Sequence, residues 1–335
     1  MKYIAWAPCR VDLAGGTLDI WPLYLFHEGA VTVNFAVDRD TCAWIRPGPG
    51  KKISLSSTDL KRSASYKSLD QLLTTKQHAL PLAAEIIRFF RPSEGFQLQT
   101  SSDAPAGAGI SGSSALIIAT VSAFNAWLGT KYSIEKIREI AQNIEARLIR
   151  VPTGCQDYYP AMYGGVSAIE MDCAGIRRVA ILVDPEELER RIVLAYTGEP
   201  RNSGINNWEV TKAHIDGDQK VHRNFETIST IARAMRSALE RADWDDAARL
   251  LAEEWSQRRK NAPGISTPLI DRLIQTTRRN GARSAKVCGA GGGGCVLFFV
   301  EPDAKQRVAA IIEREGATVL PVSVARTGVR ISVSK

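Results

Sequence analysis

The chain has 335 residues, more than a single hydrophobic core usually holds, so we expect two packed domains. With 44% apolar and 24% charged residues it has a globular composition, which excludes a disordered chain, a collagen and a small disulfide scaffold. The net charge of +7 would suit an anionic ligand, nucleic acid or a membrane surface. The basic residues are mixed with acidic ones, however, as in 233–260, and this mixture predicts a solvated face without a nucleic-acid or membrane partner.

The first half of the chain mixes strands and helices. Short segments rich in β-forming residues and bounded by glycine or proline predict strands over 3–7, 30–37, 42–46, 96–100 and 166–171. Apolar residues at helical spacing predict helices over 69–90, 113–128 and 134–148.

A second pattern starts near residue 190. Apolar residues spaced by four and three predict a helix over 221–239, and another helix follows over 245–258. The C-terminal elements are predicted as strands over 284–287, 295–300, 318–324 and 329–333, with a helix over 303–315. This order is typical of an α+β lobe with an antiparallel sheet.

The six cysteines lie far apart, without a C-x-x-C pair or a histidine at ligand spacing, so they predict neither a zinc site nor a disulfide framework. The N-terminus is too charged for a signal peptide, and the longest apolar stretch, 115–128, is too short to span a bilayer. We therefore expect a soluble cytoplasmic protein.

The densest functional signal is a segment of glycines and serines at 105–115. A strand leads into it and a helix follows, so unpaired N–H groups and the positive end of the helix dipole converge on one point. Such a cradle binds an anion, usually phosphate. Ser113 or Ser114 also suits the role of helix N-cap, which is compatible with binding.

The same segment matches the dinucleotide fingerprint G-x-G-x-x-G, with Gly107, Gly109 and Gly112 as its glycines. That fingerprint normally sits in a parallel βαβ unit with an acidic residue about 20 positions further on. No run of parallel βαβ units is predicted here, and the nearest downstream acid is Glu135. A nicotinamide or flavin enzyme is therefore disfavoured.

A second glycine loop, 289–294, joins two predicted strands of the C-terminal lobe. A hairpin does not need six small residues merely to turn, so a ligand or another backbone is expected to approach this loop. The alternative is a flexible turn. A site closed between two lobes, with one glycine loop from each, fits both segments.

Carboxylates and one arginine accompany the loops. Glu145 ends a predicted helix, and Asp157 follows in a loop of proline, glycine and tyrosine. One carboxylate could accept a hydroxyl proton and the other could hold magnesium on nucleotide phosphates. Near the N-terminus, Arg10 and Asp19 flank a glycine pair straight after a strand. Each of these residues alone would be an ordinary surface or turn residue.

In this arrangement the chain resembles the GHMP small-molecule kinases, over essentially its whole length. Segment 105–115 is similar to the family's phosphate loop P-x-x-x-G-L-S-S-S-A, 285–294 to its C-terminal glycine motif, and 7–19 to its first motif. The three motifs stand in the family order. The resemblance implies a two-lobed α+β fold, with an N-terminal domain (1–180) containing a left-handed βαβ unit and a ferredoxin-like C-terminal domain (181–335).

The resemblance also implies that ATP binds at the junction of the lobes with Mg²⁺. Carried over by position, Asp157 is the catalytic aspartate, Arg10 is the cation beside it, and Ser114 and Glu145 are the magnesium ligands. The implied nucleotide-binding residues are Pro105, Gly107, Gly109, Ser111, Gly112, Ser113, Ser114, Gly289, Gly291 and Gly292.

Within the family, segment 10–19 looks like the sugar 1-kinase branch of heptose 7-phosphate kinases and fucokinases, with galactokinase more distant. The implied reaction is transfer of the ATP γ-phosphoryl group to a sugar hydroxyl, the anomeric one. Here Leu18 replaces the threonine or serine that usually precedes the substrate aspartate. The implied sugar-binding residues are Gly16, Thr17, Asp19, Gly292 and, for a remote phosphate, Arg201.

Several alternatives stay open from the sequence. They are a fucokinase-like or galactokinase-like enzyme acting on an unphosphorylated sugar, a mevalonate-pathway kinase, a decarboxylase of the same fold, and a nucleotide-binding or RNA-binding protein without catalysis. Glu145 and Asp157 disfavour the last, because carboxylates repel phosphate unless a metal intervenes. We expect a small-molecule partner and a monomer or homodimer.

Overall fold

The computed structural model describes residues 1–199 and 203–334, without the side chains of 203–206. The strands are β1 (Lys2–Ala14), β2 (Val31–Gly48), β3 (Ile53–Ser57), β4 (Arg62–Tyr66), β5 (Gly95–Ser102), β6 (Val166–Asp172), β7 (Gly175–Ala180), β8 (Ile192–Tyr196), β9 (Ala282–Val287), β10 (Cys295–Val300), β11 (Thr318–Leu320) and β12 (Arg330–Ser334). The α-helices are α1 (Leu69–Thr74), α2 (Pro81–Phe90), α3 (Gly112–Leu128), α4 (Ile134–Ile149), α5 (Tyr158–Tyr163), α6 (Pro185–Arg190), α7 (Ser203–Ile215), α8 (Gln219–Glu240), α9 (Trp244–Arg258), α10 (Pro268–Arg278) and α11 (Lys305–Arg314). Two 3₁₀ helices cover Leu23–Phe26 and Pro302–Ala304.

The first sheet has eight strands and is organised by β2. Its path runs β12-β1-β2-β5-β3-β4, and β6 and β7 extend from the other half of β2. Strands β3 and β5 pair in parallel, and the chain crosses between them through β4, α1 and α2, which makes a βαβ unit. The other pairings of the described strands are antiparallel.

Helix α3 is the central helix of the first lobe. It packs against β1, β2 and α4, and its residues from Ala115 to Phe124 are buried except Leu116. A helix that is apolar on most sides is stable only when neighbouring elements bury most of its surface, which explains this central position. Its N-terminus directly follows the first glycine loop, and Gly112 and Ser113 there line the cleft described below.

The second lobe has a four-stranded antiparallel sheet in the order β11-β8-β10-β9, with helices α7 to α11 in its connections. Chain order β8, helices, β9, β10, α11, β11 with this spatial order is the ferredoxin-like arrangement, so the predicted fold class is confirmed. None of the described helices has the length and apolar character needed to cross a bilayer.

Several predicted elements differ from those observed. The predicted strands 30–37 and 42–46 form one long strand, β2, which includes the polar residues Asp38, Arg39 and Asp40 between them. The predicted strand 3–7 continues to Ala14 as β1, and the predicted strand 318–324 ends at Leu320 as β11. The predicted helix 69–90 is split into α1 and α2, because Pro81 occupies the first position of α2, where its missing N–H costs nothing.

The end of the chain returns to the first lobe. Strand β12 pairs with β1, and Val324 bridges Val37 of β2. The division of the chain at residue 180 stays a prediction.

Candidate active site

A cleft of about 350 Å³ lies between the two lobes. It brings together the first glycine loop, the N-terminal motif, the loop before α5 and the start of the second glycine loop. The predicted site residues that line it are Arg10, Gly16, Thr17, Asp19, Pro105, Gly107, Gly109, Ser111, Gly112, Ser113, Glu145, Asp157 and Gly289.

Arg10 connects three parts of this cleft. It is buried on β1, and its Nη1 donates to the carbonyl oxygens of Gly109, at 3.0 Å, and Cys288, so one guanidinium contacts the first glycine loop and the residue that precedes the second. Its Nε and Nη2 donate to Oδ1 of Asp157 at 2.8 and 2.6 Å. Burial alone would lower the pKa of Arg10, but the charges of Asp157 and Asp12 hold it above its ordinary value. The cation is therefore fixed at the centre of the site.

The first glycine loop ends in an open helix terminus. Ser111, the N-cap residue of α3, has φ of +59°, and its hydroxyl donates to the carbonyl oxygen of Ile110 at 2.7 Å. Among the described residues the first N–H groups of α3 therefore receive no capping bond from Ser111. Unpaired N–H groups and the helix dipole make this terminus an anion-binding point that faces the cleft.

Glu145 on α4 lies behind this terminus and is buried. Its Oε1 accepts a hydrogen bond from Ser113 Oγ at 2.7 Å, and its Oε2 accepts from Ser114 Oγ at 2.8 Å and from Tyr158 Oη at 2.6 Å. Burial raises the pKa of Glu145, and the hydrogen bonds from the three hydroxyls, which lower it, offset this rise only in part. Ser114 is itself buried, beneath the cleft lining. The group is a compact cluster of side-chain oxygen atoms.

Asp19 is another buried carboxylate that lines the cleft. Its Oδ2 accepts a hydrogen bond from the backbone N–H of Gln156 at 2.9 Å. A side chain at Gly154 would put a Cβ 1.9 Å from the same oxygen, so this close approach requires glycine. Burial, and then the charge of Asp157, raises the pKa of Asp19 to about 6. The site thus holds a carboxylate whose ionisation is costly.

A buried network of four charges, which the sequence did not predict, supports the N-terminal motif at the edge of the cleft. Lys286 Nζ is 2.6 Å from Asp12 Oδ2 and 3.4 Å from Glu254 Oε2. Arg258 pairs with Glu254 through its Nε, at 2.8 Å, and its Nη2. Burial alone would raise the pKa of Asp12, but Lys286 and Arg258 hold it below its ordinary value. Two cations and two anions therefore compensate each other in the interior.

This network holds the N-terminal loop from the second lobe. Arg258 Nη2 donates to the carbonyl oxygen of Gly16 at 2.9 Å, and its Nη1 is 3.3 Å from Thr17 Oγ1. Thr17 has φ of +77°, which is uncommon for a β-branched residue. The contacts from α9 help to keep that conformation.

The second glycine loop packs onto the first. The N–H of Cys295 donates to the carbonyl oxygen of Ala108 at 2.6 Å, and residues 291–294 all have positive φ, which favours glycine. Gly289 and Ala290 line the cleft. Gly291 instead contacts Ile265, and Gly292 donates its N–H to the carbonyl oxygen of Ile265 at 2.9 Å. These two glycines shape the loop without lining the cleft.

The structure also shows residues that the sequence did not single out. Gln156 and Tyr158 flank Asp157, and both contact predicted site carboxylates. Their place in the same short loop was the available signal. The predicted Arg201 lies outside the described residues.

Comparisons with known proteins agree with this geometry. Residues 77–165 match the model of the GHMP kinases N terminal domain, and residues 235–318 match that of the GHMP kinases C terminal region. The chain is 30% identical over 335 residues to D-glycero-alpha-D-manno-heptose 7-phosphate kinase of Campylobacter jejuni, with 96% of each chain covered.

More distant relatives share the same architecture. The chain is 24% identical to mevalonate kinase of Thermococcus onnurineus, with 99% of this chain and 98% of the relative covered. The crystal structure of a D-glycero-D-manno-heptose 1-phosphate kinase from Bacteriodes thetaiotaomicron superposes with a TM-score of 0.79, at 24% identity and 99% coverage of both chains. With both glycine loops meeting at one cleft, two matching family models and a relative 30% identical along almost the whole chain, this chain belongs to the GHMP kinase family.

Proposed function

We propose that this kinase transfers the γ-phosphoryl group of ATP to the anomeric hydroxyl of a sugar phosphate, with heptose 7-phosphate as the first candidate. The observation that carries the proposal is the position of Arg10, whose one guanidinium contacts the first glycine loop, the residue before the second glycine loop, and Asp157. A phosphoryl group held between those loops would lie beside a fixed cation and a carboxylate. That is the charge arrangement that phosphoryl transfer requires.

Asp157 is proposed to orient the sugar hydroxyl and accept its proton. Both contacts from Arg10 go to Oδ1, which leaves Oδ2 for the substrate. The side chain of Asp157 is 27% exposed, so a substrate can reach it, whereas the Arg10 side chain is 4% exposed. Arg10 would stabilise negative charge on the transferred group, and most of the rate gain would come from positioning.

Ser114 and Glu145 are proposed as magnesium ligands. The hydroxyls of Ser113 and Ser114 converge on the Glu145 carboxylate, and hard oxygen donors of this kind fit Mg²⁺. Burial keeps the pKa of Glu145 raised, and a cation beside it would favour its ionised form. When bound, Mg²⁺ would neutralise charge on the nucleotide phosphates.

The nucleotide is proposed to lie along the first glycine loop. The open N–H groups at the start of α3 would bind its phosphates, together with the backbone of Gly289. Gly291 and Gly292 would act by keeping the second loop close against the first. A role of Gly292 in sugar binding stays a prediction.

Asp19 is proposed to bind sugar hydroxyls, with Gly16 and Thr17 forming the adjacent wall. The 30% identical relative is named a heptose 7-phosphate kinase, which supports a sugar phosphate here. Arg201 is proposed as the cation for the remote phosphate. A cytoplasmic location and a monomeric or homodimeric state belong to the same proposal.

Release of ADP on a panel of substrates tests this function. The panel contains heptose 7-phosphate, free heptose, fucose, galactose, mevalonate and mevalonate diphosphate, each with and without Mg²⁺. We expect the highest kcat/KM with heptose 7-phosphate and little turnover without Mg²⁺. A higher kcat/KM with a free sugar would favour a fucokinase-like or galactokinase-like enzyme, and preference for mevalonate, or release of CO₂ from its diphosphate, would overturn the sugar assignment.

A further inference from the structure

Three of the four histidines in the chain meet at a point outside the catalytic cleft. His27 follows the 3₁₀ helix Leu23–Phe26, His214 lies in the last turn of α7, and His222 lies in the first turn of α8. One ring nitrogen of each lies within 4.8 Å of the others. The Nε2 atoms of His27 and His214, 187 positions apart in the chain, are separated by 2.8 Å.

The histidine cluster, His27, His214 and His222, has unused polar atoms in its interior. His27 and His214 are 4% and 5% exposed, and within the described part of the chain the Nδ1 atom of each has no hydrogen-bond partner. Four ring nitrogens therefore share a single N–H···N contact. Buried polar groups are rarely left so poorly satisfied, and a bound ion is one of the few explanations.

An aromatic ring and a carboxylate of α8 border the histidine cluster. Phe225 packs on His27 and His214 with ring centroids 5.9 and 5.7 Å away. His222 is the most exposed of the three rings, and its Nδ1 lies 3.6 Å from Glu226 Oε1. Metal-bound histidines often have such a carboxylate near their second ring nitrogen.

We propose that His27, His214 and His222 bind one divalent transition-metal ion, with Zn²⁺ as the first candidate. Two nitrogens bound to a tetrahedral zinc ion at 2.0–2.1 Å are about 3.3 Å apart, so the observed separations need only small side-chain rotations. His222 has a side chain 35% exposed and marks the solvent side, where water can complete the coordination. Imidazole nitrogen favours zinc, copper or nickel over magnesium, so this site is distinct from the oxygen ligands at Glu145.

An ion at the histidine cluster would connect the sugar-binding segment to α7 and α8. Leu18 and Ile20, which flank Asp19, lie in one apolar cluster with Val221 and Phe225 of α8. The ion would therefore restrain a loop that carries a predicted sugar ligand. Its effect on stability does not depend on the identity of the sugar, so the two proposals can fail separately.

Zinc binding to metal-stripped protein, with any purification tag removed, tests the proposal. The parent, His222→Ala and His78→Ala are compared by titration calorimetry, by metal content after dialysis and by thermal unfolding with Zn²⁺. His78 is the matched control, because it is the fourth histidine and is hydrogen-bonded to the Tyr66 hydroxyl at 2.9 Å, away from the cluster.

For the parent and His78→Ala we expect one bound Zn²⁺ per chain and a higher Tm in the presence of zinc. In His222→Ala the affinity for zinc should be at least about 100-fold lower, because loss of a direct ligand should weaken metal binding at least as much as loss of an outer partner does. Co²⁺ should give a visible absorption band in the parent that His222→Ala lacks and that excess Mg²⁺ does not displace. His222 is the most exposed of the three, so its variant should fold, and His27→Ala is a second test. The absence of zinc binding to the parent, or equal affinity in the three proteins, would overturn the proposal and leave a hydrogen-bonded histidine cluster.

Discussion

Replacing Asp19 by asparagine separates the cost of its buried charge from its proposed role in sugar binding. Asp19 is 3% exposed, and its pKa is raised from 3.8 to about 6 by burial and by the charge of Asp157. Asparagine keeps an oxygen to accept the N–H of Gln156 but removes the charge. The variant should therefore be more stable and less active.

The size of the stability effect follows from linkage. The pKa of Asp19 in the folded state lies above its unfolded value, so ionisation of this carboxylate lowers the free energy of unfolding. The loss is absent below pH 3.8 and complete well above pH 6. A shift of this size corresponds to about 3 kcal/mol. Asp19→Asn should recover about this amount at pH 8 and about half of it at pH 5. For a chain of this length the gain at pH 8 is a rise in Tm of about 4 °C.

Thermal unfolding at pH 8 and pH 5 measures this effect, with Asp303→Asn, an exposed aspartate, as the control. The Tm gain of Asp19→Asn should shrink at pH 5, whereas Asp303→Asn should match the parent at both values. In kinetics, the KM for the sugar should rise in Asp19→Asn, and that of the parent should rise as the pH falls through about 6. Equal stability of variant and parent at pH 8, or an unchanged sugar KM, would refute the reasoning.

Three further substitutions test other parts of the site. Asp157→Asn keeps an acceptor for Arg10, so ATP affinity should stay near that of the parent while kcat falls by about 100-fold or more; a loss of only a few-fold would remove Asp157 from proton transfer. Lys286→Met leaves Asp12 with a poorly compensated buried charge and should cost about 3–5 kcal/mol in denaturant unfolding, against less than about 1 kcal/mol for the exposed Lys136→Met. Arg201→Ala should raise the KM for a sugar phosphate by about 10- to 150-fold with the ATP KM unchanged, and equal small effects on phosphorylated and free sugars would argue against this role.

Local patterns in the sequence predicted the helices that border the first glycine loop of the cleft. Helix α3 was predicted from its apolar run, and α4 from spacing of three and four, to within one residue at each end. The glycine loops were recognisable because glycine and serine composition before a helix reports backbone geometry directly. The predicted two-lobed fold followed from the resemblance and is confirmed.

The errors arose where tertiary contacts decide the structure. The middle of β2 is polar and has a register shift against β1, yet the strand continues because β1 pairs with β2 before and after it, Cys9 with Val37 and Pro8 with Asp40. The Asp12–Lys286 pair joins residues 274 positions apart, and charged residues in a sequence ordinarily predict surface. The three clustered histidines likewise have no shared spacing motif, so only the fold brings them together.

The product of the reaction with heptose 7-phosphate, ATP and Mg²⁺ tests the central claim most directly. Phosphorus NMR of that product should show a second phosphate whose phosphorus couples to the anomeric proton, formed in equal amount with ADP. A new phosphate at any other hydroxyl, or ADP formation without a new sugar phosphate, would contradict the account.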